Sequence, residues 1–187
     1  MFNNAFIDFD ILKKRAYNLR WATVTNGVIP LTAADPDFKC AQEISEAICK
    51  YSKDRYFCYG SHEGSHEFKE SVSNFFFQKR NLVISPNNIL PIDSAAFGIY
   101  LVCKTFMKKG DEAIIFDPVD YLFRYNIELV GGVAIPFSIP ASSKTTDFGQ
   151  LEKLINSKTQ LICLCNPLNP SGKVFTEDEL IQLGTIA

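Results

Sequence analysis

Two short segments of this sequence could bind a ligand, because each lies where a strand is expected to end. The first is Asp93-Ser94-Ala95-Ala96, which follows the apolar residues 89–92. At the start of a helix the first backbone N–H groups have no intrahelical acceptor, and the helix dipole attracts anions. Small side chains let a ligand approach this backbone closely, and the Ser94 hydroxyl adds a donor. The segment therefore predicts either a phosphate-type anion site or a simple helix cap.

The second segment is Asn166-Pro167-Leu168-Asn169-Pro170-Ser171-Gly172-Lys173, directly after the apolar residues 160–165. Each Asn-Pro step favours an extended or turning backbone, and together they present the amide of Asn169 to a ligand oxygen. The pair Gly172-Lys173 lacks the upstream glycine and the following hydroxyl residue of a nucleotide phosphate loop. We therefore expect an amide-lined binding site here and not nucleotide hydrolysis.

Helical and apolar patterns alternate around these two segments. We expect helices near residues 41–50, 65–80, 93–106, 121–130 and 148–155 and from residue 177, and strands at residues 89–92, 113–116, 133–137 and 160–165. The third helix is expected to bury Ile99, Val102, Cys103 and Phe106, and Thr176 with Glu179 predicts a capping box. Apolar strands separated by helices indicate an α/β fold of three layers, a mainly parallel sheet with helices on both faces.

Composition and charge narrow the class of protein. Hydrophobic residues make up 47% of the 187 residues, and the formal net charge of −2 gives no field that attracts nucleic acid or an acidic membrane surface. No apolar run reaches the roughly 20 residues of a membrane span, and a secretory signal pattern is absent. We expect a cytoplasmic protein with no nucleic-acid or membrane partner, made of an N-terminal arm, residues 1–40, and one domain, residues 41–187.

Other reactive side chains are interpreted as structural. The six cysteines lack metal-ligand or redox spacing and are expected to be buried, reduced thiols. His62 and His66 lie four residues apart, but Gly64 separates them and no third ligand is evident, so no metal site is expected. Lys144, after Ser142-Ser143, is expected to be a solvated loop lysine.

The segment around Asn169 resembles the Asn-Pro-x-Asn-Pro-Ser/Thr-Gly hallmark of the class I/II aminotransferases, which depend on pyridoxal 5′-phosphate (PLP). Further landmarks occur in the family's order: Pro30-Leu31 to Asp37-Phe38, Tyr59 with Gly64, Gly110-Asp111-Glu112, Asp117-Pro118 and Gly131-Gly132. The resemblance covers most of the chain. It implies the incomplete large domain of a fold-type I PLP-dependent transferase.

The resemblance also implies roles for individual residues. Backbone N–H groups of Ser94, Ala95 and Ala96 would hold the cofactor phosphate, although the family usually has glycine at the position of Ser94. Asn169 would hydrogen-bond the phenolic oxygen of the cofactor. Tyr59 would reach the phosphate of the neighbouring subunit in a homodimer.

Two further roles concern the cofactor ring and the substrate. Just after the position of Pro118, the family has an aromatic residue that stacks on the cofactor ring. Ungapped counting puts Asp120 at that position, with Tyr121 and Phe123 adjacent. Tyr121 is the favoured candidate for stacking. The arm at residues 31–35, which includes Ala34, would lie against the substrate carboxylate.

The implied activity is transamination between amino acids and 2-oxo acids. The arm at residues 30–38 also resembles the cystathionine β-lyase-like branch, which cleaves carbon–sulfur bonds, so a PLP-dependent lyase is the alternative. In the family's order the Schiff-base lysine and the acid that pairs with the pyridine nitrogen lie beyond residue 187. We therefore expect an N-terminal part of an enzyme, inactive alone and without a catalytic residue. A naturally short, non-catalytic binding module is the remaining hypothesis.

Overall fold

The computed structural model describes residues 7–140 and 145–187, and the chain divides into the compact units Met1–Gly60 and Ser61–Ala187. The expected boundary between arm and domain at residue 40 stays a prediction. The predicted loop position of Lys144 and Ser142-Ser143 lies outside the described residues.

Within residues 7–60, the described part of the first unit, there are three helices, α1 (Phe9–Lys14), α2 (Leu19–Thr23) and α3 (Gln42–Ser52). Asp8 begins α1 by accepting the N–H of the third residue after it, and Asn18 caps α2 in the same manner. The helix expected near residues 41–50 is thus confirmed. The helices α1 and α2 were not expected, because five or six residues are too few to show an apolar period.

The second unit alternates helices and strands. In chain order these are α4 (His66–Arg80), α5 (Ala95–Phe106), β1 (Glu112–Asp117), α6 (Tyr121–Leu129), β2 (Val133–Ser138), α7 (Phe148–Glu152), β3 (Thr159–Cys163) and α8 (Glu177–Ile186). Each of these helices begins after a residue whose side chain accepts a first-turn N–H: Ser65, Ser94, Asp120, Asp147 and Thr176. The capping box of Thr176 and Glu179 is confirmed.

The three strands form a parallel sheet in the order β2-β1-β3. In the centre of the sheet Ile114 lies between Ile135 and Ile162. Because the strands are parallel, their carboxyl ends lie at one edge of the sheet. The loops that follow β1 and β3 are therefore neighbours.

Successive side chains of β1 enter two different cores, as expected for a strand buried on both faces. Ile114 and Phe116 pack on one face against residues of β2, α7, α8 and the loop after β3, chiefly Phe137, Phe148, Leu151, Leu168, Phe175 and Leu183. Ala113 and Ile115 pack on the other face against α5 and α6, with Cys103, Met107, Ile127 and Ala134. These two cores confirm the predicted three-layer α/β architecture.

Two expectations about the region before β1 are wrong. Residues 89–92 are not a strand: a 3₁₀ helix, Pro86–Asn88, precedes them, and no described residue pairs with them in a ladder. An apolar run shows burial but not pairing, and pairing is what makes a strand. On α5, Val102 and Phe106 are exposed, because the buried row instead runs through Ile99, Cys103 and Met107 at a spacing of four.

The helix expected to reach residue 155 ends at Glu152, where tighter turns replace the helical hydrogen bonds.

The cysteines are all free, but only Cys103 is fully buried, whereas Cys40, Cys49 and Cys58 are exposed. The expectation of buried thiols is therefore wrong for those three. Burial, with a smaller contribution from Cys103, raises the pKa of Cys163 to about 12. Within the described ranges, no helix is both long and apolar enough to cross a bilayer.

Candidate active site

The carboxyl edge of the sheet brings two of the predicted segments together. Strand β1 ends at Asp117 and leads to Asp120, while β3 ends at Cys163 and leads to Asn169. Nδ2 of Asn169 donates a hydrogen bond to Oδ2 of Asp120 across 3.1 Å. The contact follows from the topology, since β1 and β3 are paired neighbours. Asn169 therefore lies beside the beginning of α6.

The start of α6 places the candidates for ring stacking in different surroundings. Asp120 caps the helix, because its Oδ1 accepts the N–H of Leu122 at 2.9 Å. Phe123 is half-buried and packs against the core beneath α5 and α6. Tyr121 is the first residue of α6, and its side chain is 73% exposed. Of these candidates, only Tyr121 presents an aromatic face to solvent.

The loop after β3 is anchored so that Asn169 is presented at the surface. Leu168 is buried in the core, and its N–H donates to the carbonyl of Lys173 at 2.8 Å. The side-chain oxygen of Asn166 accepts the N–H of Phe175 at 3.2 Å. These contacts fix both arms of the loop, while Asn169 between them stays exposed.

The first turn of α5 contains backbone N–H groups that have no acceptor within the helix. Oγ of Ser94 accepts the N–H of Phe97 at 3.2 Å, and the first intrahelical bond runs from Gly98 to the carbonyl of Ser94. The N–H groups of Ala95 and Ala96 precede this bond and point out of the helix end. No acidic side chain lies in this first turn. The turn therefore acts as a helix cap and is at the same time open to an anion, so both expectations for it are compatible.

The cavities that border the sheet in the described part of the chain include two that contain neither Asn169 nor Ser94. One of about 380 Å³ is lined by Phe137 and other residues between β2 and α7. The other, of about 310 Å³, lies between α5, α6 and β3 and is lined by Gly98, Ile99 and Phe123 among others. The second is apolar and begins within one turn of Ser94, so charged groups of a ligand would have to be recognised by the loops.

A network that the sequence did not reveal holds the arm in the first unit. Arg20 is only 8% exposed and donates to the carbonyl of Asp35 and to the carboxylate of Asp37. Nε1 of Trp21 donates to the same carboxylate at 2.8 Å. Ala34, the predicted substrate neighbour, immediately precedes the carbonyl that Arg20 holds. No local pattern links positions 17 residues apart, so the sequence carried no signal for this pair.

The remaining candidate residues lie as follows. Tyr59, at the end of the first unit, has a fully exposed side chain, and its predicted role stays a prediction. His66 pairs with Glu70 along α4 at 3.2 Å. Among the residues that the structure describes, no cluster of three or more His, Cys, Asp or Glu side chains could hold a metal ion.

A second unexpected network fixes the far end of the Asn-Pro loop. The buried carboxylate of Glu179 accepts the N–H groups of Thr146 and Thr176, both at 2.8 Å, and pairs with Lys173 at 3.0 Å. Burial alone raises the pKa of Glu179, but these hydrogen bonds outweigh it and lower the pKa to about 2. The predicted capping box accounts for the hydrogen bond from Thr176 but not for the contacts with Thr146 and Lys173.

Comparison with known proteins identifies the class of the chain. The family model for aminotransferase class I and II matches residues 26–187, so the chain belongs to this family. It is 32% identical over 165 residues to an aspartate aminotransferase of Bacillus sp. (strain YM-2), and 29% identical over 163 residues to the aspartate aminotransferase of Sulfolobus acidocaldarius. Each alignment covers 86% of this chain and 41% of the relative.

A solved structure agrees with this assignment. Cystalysin from Treponema denticola, which contains a PLP cofactor, superposes on 100% of this chain and 49% of its own with a TM-score of 0.86 and 27% identity. The chain thus spans less than half of the length of these relatives. The predicted family, the partial fold-type I domain and the cofactor of the family, PLP, are confirmed.

Proposed function

We propose that this chain is the cofactor-anchoring part of a PLP-dependent aminotransferase that acts on amino acids and 2-oxo acids. The observation that carries the proposal is the hydrogen bond between Asn169 and Asp120, which assembles a polar site at the carboxyl edge of a parallel sheet. Ligands of open α/β sheets bind at this edge. The two relatives named aspartate aminotransferase make aspartate with 2-oxoglutarate the first substrate pair to assay.

In this proposal the phosphate of PLP lies at the beginning of α5. The outward N–H groups of Ala95 and Ala96 donate to it, and the helix dipole favours its charge. The hydroxyl of Ser94 accepts from Phe97 and keeps its own proton available for a phosphate oxygen. The donor set and the small side chains fit a phosphate group.

The ring of the cofactor would lie between the loops that follow β1 and β3. Asn169 would donate to the phenolic oxygen, and Tyr121, whose ring is exposed, would stack on the ring face. When bound, PLP supplies an electron sink for negative charge that develops at the α-carbon of an amino acid. The part played by this chain is to hold the ring in place and to exclude water from one of its faces.

The arm would border the substrate in this proposal. Its backbone at Asp35 is held by the buried side chain of Arg20, so the part of the arm that carries Ala34, the predicted neighbour of the substrate carboxylate, has a fixed conformation within the first unit. Tyr59 is fully exposed in the unit Met1–Gly60, as a residue that serves a neighbouring subunit of a homodimer would be. Preorganised contacts of this kind orient a substrate without a conformational cost.

The test uses the protein expressed from its complete gene. Borohydride reduction makes a lysine-bound cofactor permanent, so intact mass after reduction reports whether the protein carries a pyridoxyl group. A mass well above 21.0 kDa with this adduct supports the proposal. A mass equal to this chain alone, without adduct, supports the non-catalytic binding module instead.

The alternative activity, a PLP-dependent carbon–sulfur lyase, is favoured by the sequence of the arm at residues 30–38. The two reactions differ in their need for an acceptor. Transamination of aspartate requires a 2-oxo acid, whereas cleavage of cystathionine releases pyruvate without one. Pyruvate formation from cystathionine alone would decide for the lyase and against the aminotransferase.

A further inference from the structure

We propose that Asp120 is a positioning residue that determines which end of the Asn169 amide faces a ligand. The inference rests on the proposed function, in which Asn169 meets the phenolic oxygen of PLP. It adds a residue at the position where ungapped counting places the stacking aromatic residue of the family.

The carboxylate of Asp120 is oriented by the helix that it caps. Its Oδ1 accepts the N–H of Leu122 at 2.9 Å, which fixes the plane of the group at the start of α6. Its Oδ2 then points across the loop and accepts from Nδ2 of Asn169 at 3.1 Å. One side chain thus joins the beginning of α6 to the loop after β3.

This contact permits only one orientation of the Asn169 amide. An ionised carboxylate accepts hydrogen bonds and cannot donate them, so the NH₂ end of the amide must face Asp120 and the carbonyl end must face away. The NH₂ group carries two hydrogens, and Asp120 uses one. The second remains for a ligand, which must offer an acceptor such as a phenolate oxygen.

Among the contacts of the described residues, only the hydrogen bond to Asp120 selects this orientation. The backbone around Asn169 is held by buried Leu168 and by the bond from Phe175 to Asn166. The terminal torsion of asparagine is nevertheless broad and roughly two-fold, so the amide can turn over within a fixed backbone. The negative charge of Asp120 is therefore what selects a donor over an acceptor at this position.

The test is the variant Asp120→Asn, with Asp147→Asn as the matched control. Asparagine caps helices about as well as aspartate, so α6 keeps its cap. The oxygen of Asp120 that faces Asn169 is replaced by an NH₂ group, however, which donates a hydrogen bond. The amide of Asn169 must then turn its oxygen toward this NH₂ group. Asp147 caps α7 through the N–H of Gly149 at 3.0 Å, so the control removes the same charge from an equivalent cap.

The probe is 4′-deoxypyridoxine 5′-phosphate, which keeps the phosphate and the ring hydroxyl but has no aldehyde and binds without a lysine bond. Its 3-deoxy counterpart lacks the phenolic oxygen. Both are titrated by fluorescence into the complete protein after cofactor removal. In Asp120→Asn we expect affinity for the first probe to fall about tenfold or more, the size of one hydrogen bond to a charged group. We expect affinity for the 3-deoxy probe to change less than about twofold, and Asp147→Asn to affect neither probe.

Three outcomes would overturn the inference. Unchanged affinity of Asp120→Asn for both probes would show that the carboxylate does not orient the amide. An equal loss for both probes would show general damage to the site and not a contact with the phenolic oxygen. If the unsubstituted protein binds neither probe, the proposed function fails, and the inference fails with it.

Discussion

Replacement of Glu179 by glutamine should destabilise the protein far more than its place in a capping box suggests. A capping box accepts glutamate or glutamine at this position, so capping alone predicts a nearly neutral change. Here one carboxylate oxygen accepts from both Thr146 and Lys173, while the other accepts from Thr176. An amide has only one oxygen, so its NH₂ group must face at least one of these donors.

The expected loss is about 2 to 3 kcal/mol of unfolding free energy. Hydrogen bonds to a charged group contribute roughly 1.5–3 kcal/mol each, and the substitution also leaves the half-buried ammonium of Lys173 without its carboxylate. The pKa of Glu179 gives a similar figure, because a fall from 4.5 to about 2 corresponds to roughly 3 kcal/mol between its two protonation states. A lowered pKa stabilises the folded state fully above about pH 4.5, and that contribution is lost as the pH falls toward 2.

Urea unfolding of the parent protein, Glu179→Gln and Glu177→Gln measures this effect. Glu177 is exposed in the first turn of the same helix, so its substitution removes the same charge and should cost at most about 1 kcal/mol through the helix dipole. The difference between parent and Glu179→Gln should also shrink below pH 4.5. If the two variants lie within about 0.5 kcal/mol of each other at pH 7, the network does not contribute as argued.

Three further predictions concern packing, backbone and the arm. Phe116→Ala should lower the free energy of unfolding, measured with urea, by about 3–5 kcal/mol because the ring is fully buried in the core. A decrease below about 1 kcal/mol would contradict this packing. Gly64→Ala should destabilise, since its φ is +84° and a Cβ would lie 2.5 Å from Pro91, whereas Gly184→Ala in open space on α8 should raise the melting temperature. In the proposed aminotransferase, Arg20→Lys should raise the KM for the amino acid more than it lowers kcat, because Nη2 of Arg20 donates to both Asp35 and Asp37 and the shorter side chain of lysine places its ammonium away from that position; equal effects on both constants would argue against a role in substrate positioning.

Much of the second unit could be predicted from the sequence because local signals agree with the fold there. The apolar run at residues 113–116 and the capping residues Ser65, Ser94 and Thr176 mark elements that the structure contains. The strand expected at residues 89–92 was wrong because strand formation depends on a partner, which the local sequence does not encode. The short helices α1 and α2 escaped prediction because their caps precede too few residues to show a period.

The candidate site was predictable in part. The Asn-Pro pattern identified Asn169, and the small residues after Asp93 identified the start of α5. The partner of Asn169 could not be identified, because Asp120 lies 49 residues away and meets it only through the pairing of β1 with β3. The network around Arg20 was hidden for the same reason, since it joins residues that are distant along the chain and close only after folding.

The parallel sheet gives the second unit two ends with different tolerance to engineering. The turns that precede the strands lie at the edge opposite Asn169, and one of them carries the exposed residue Ser157. A strand of five residues spans about 17 Å, so an insertion or a fluorescent label at this turn would lie about one strand length from the carboxyl edge that carries the candidate site. Binding could then be followed by a reporter that shares the rigid sheet with the site but touches none of its residues.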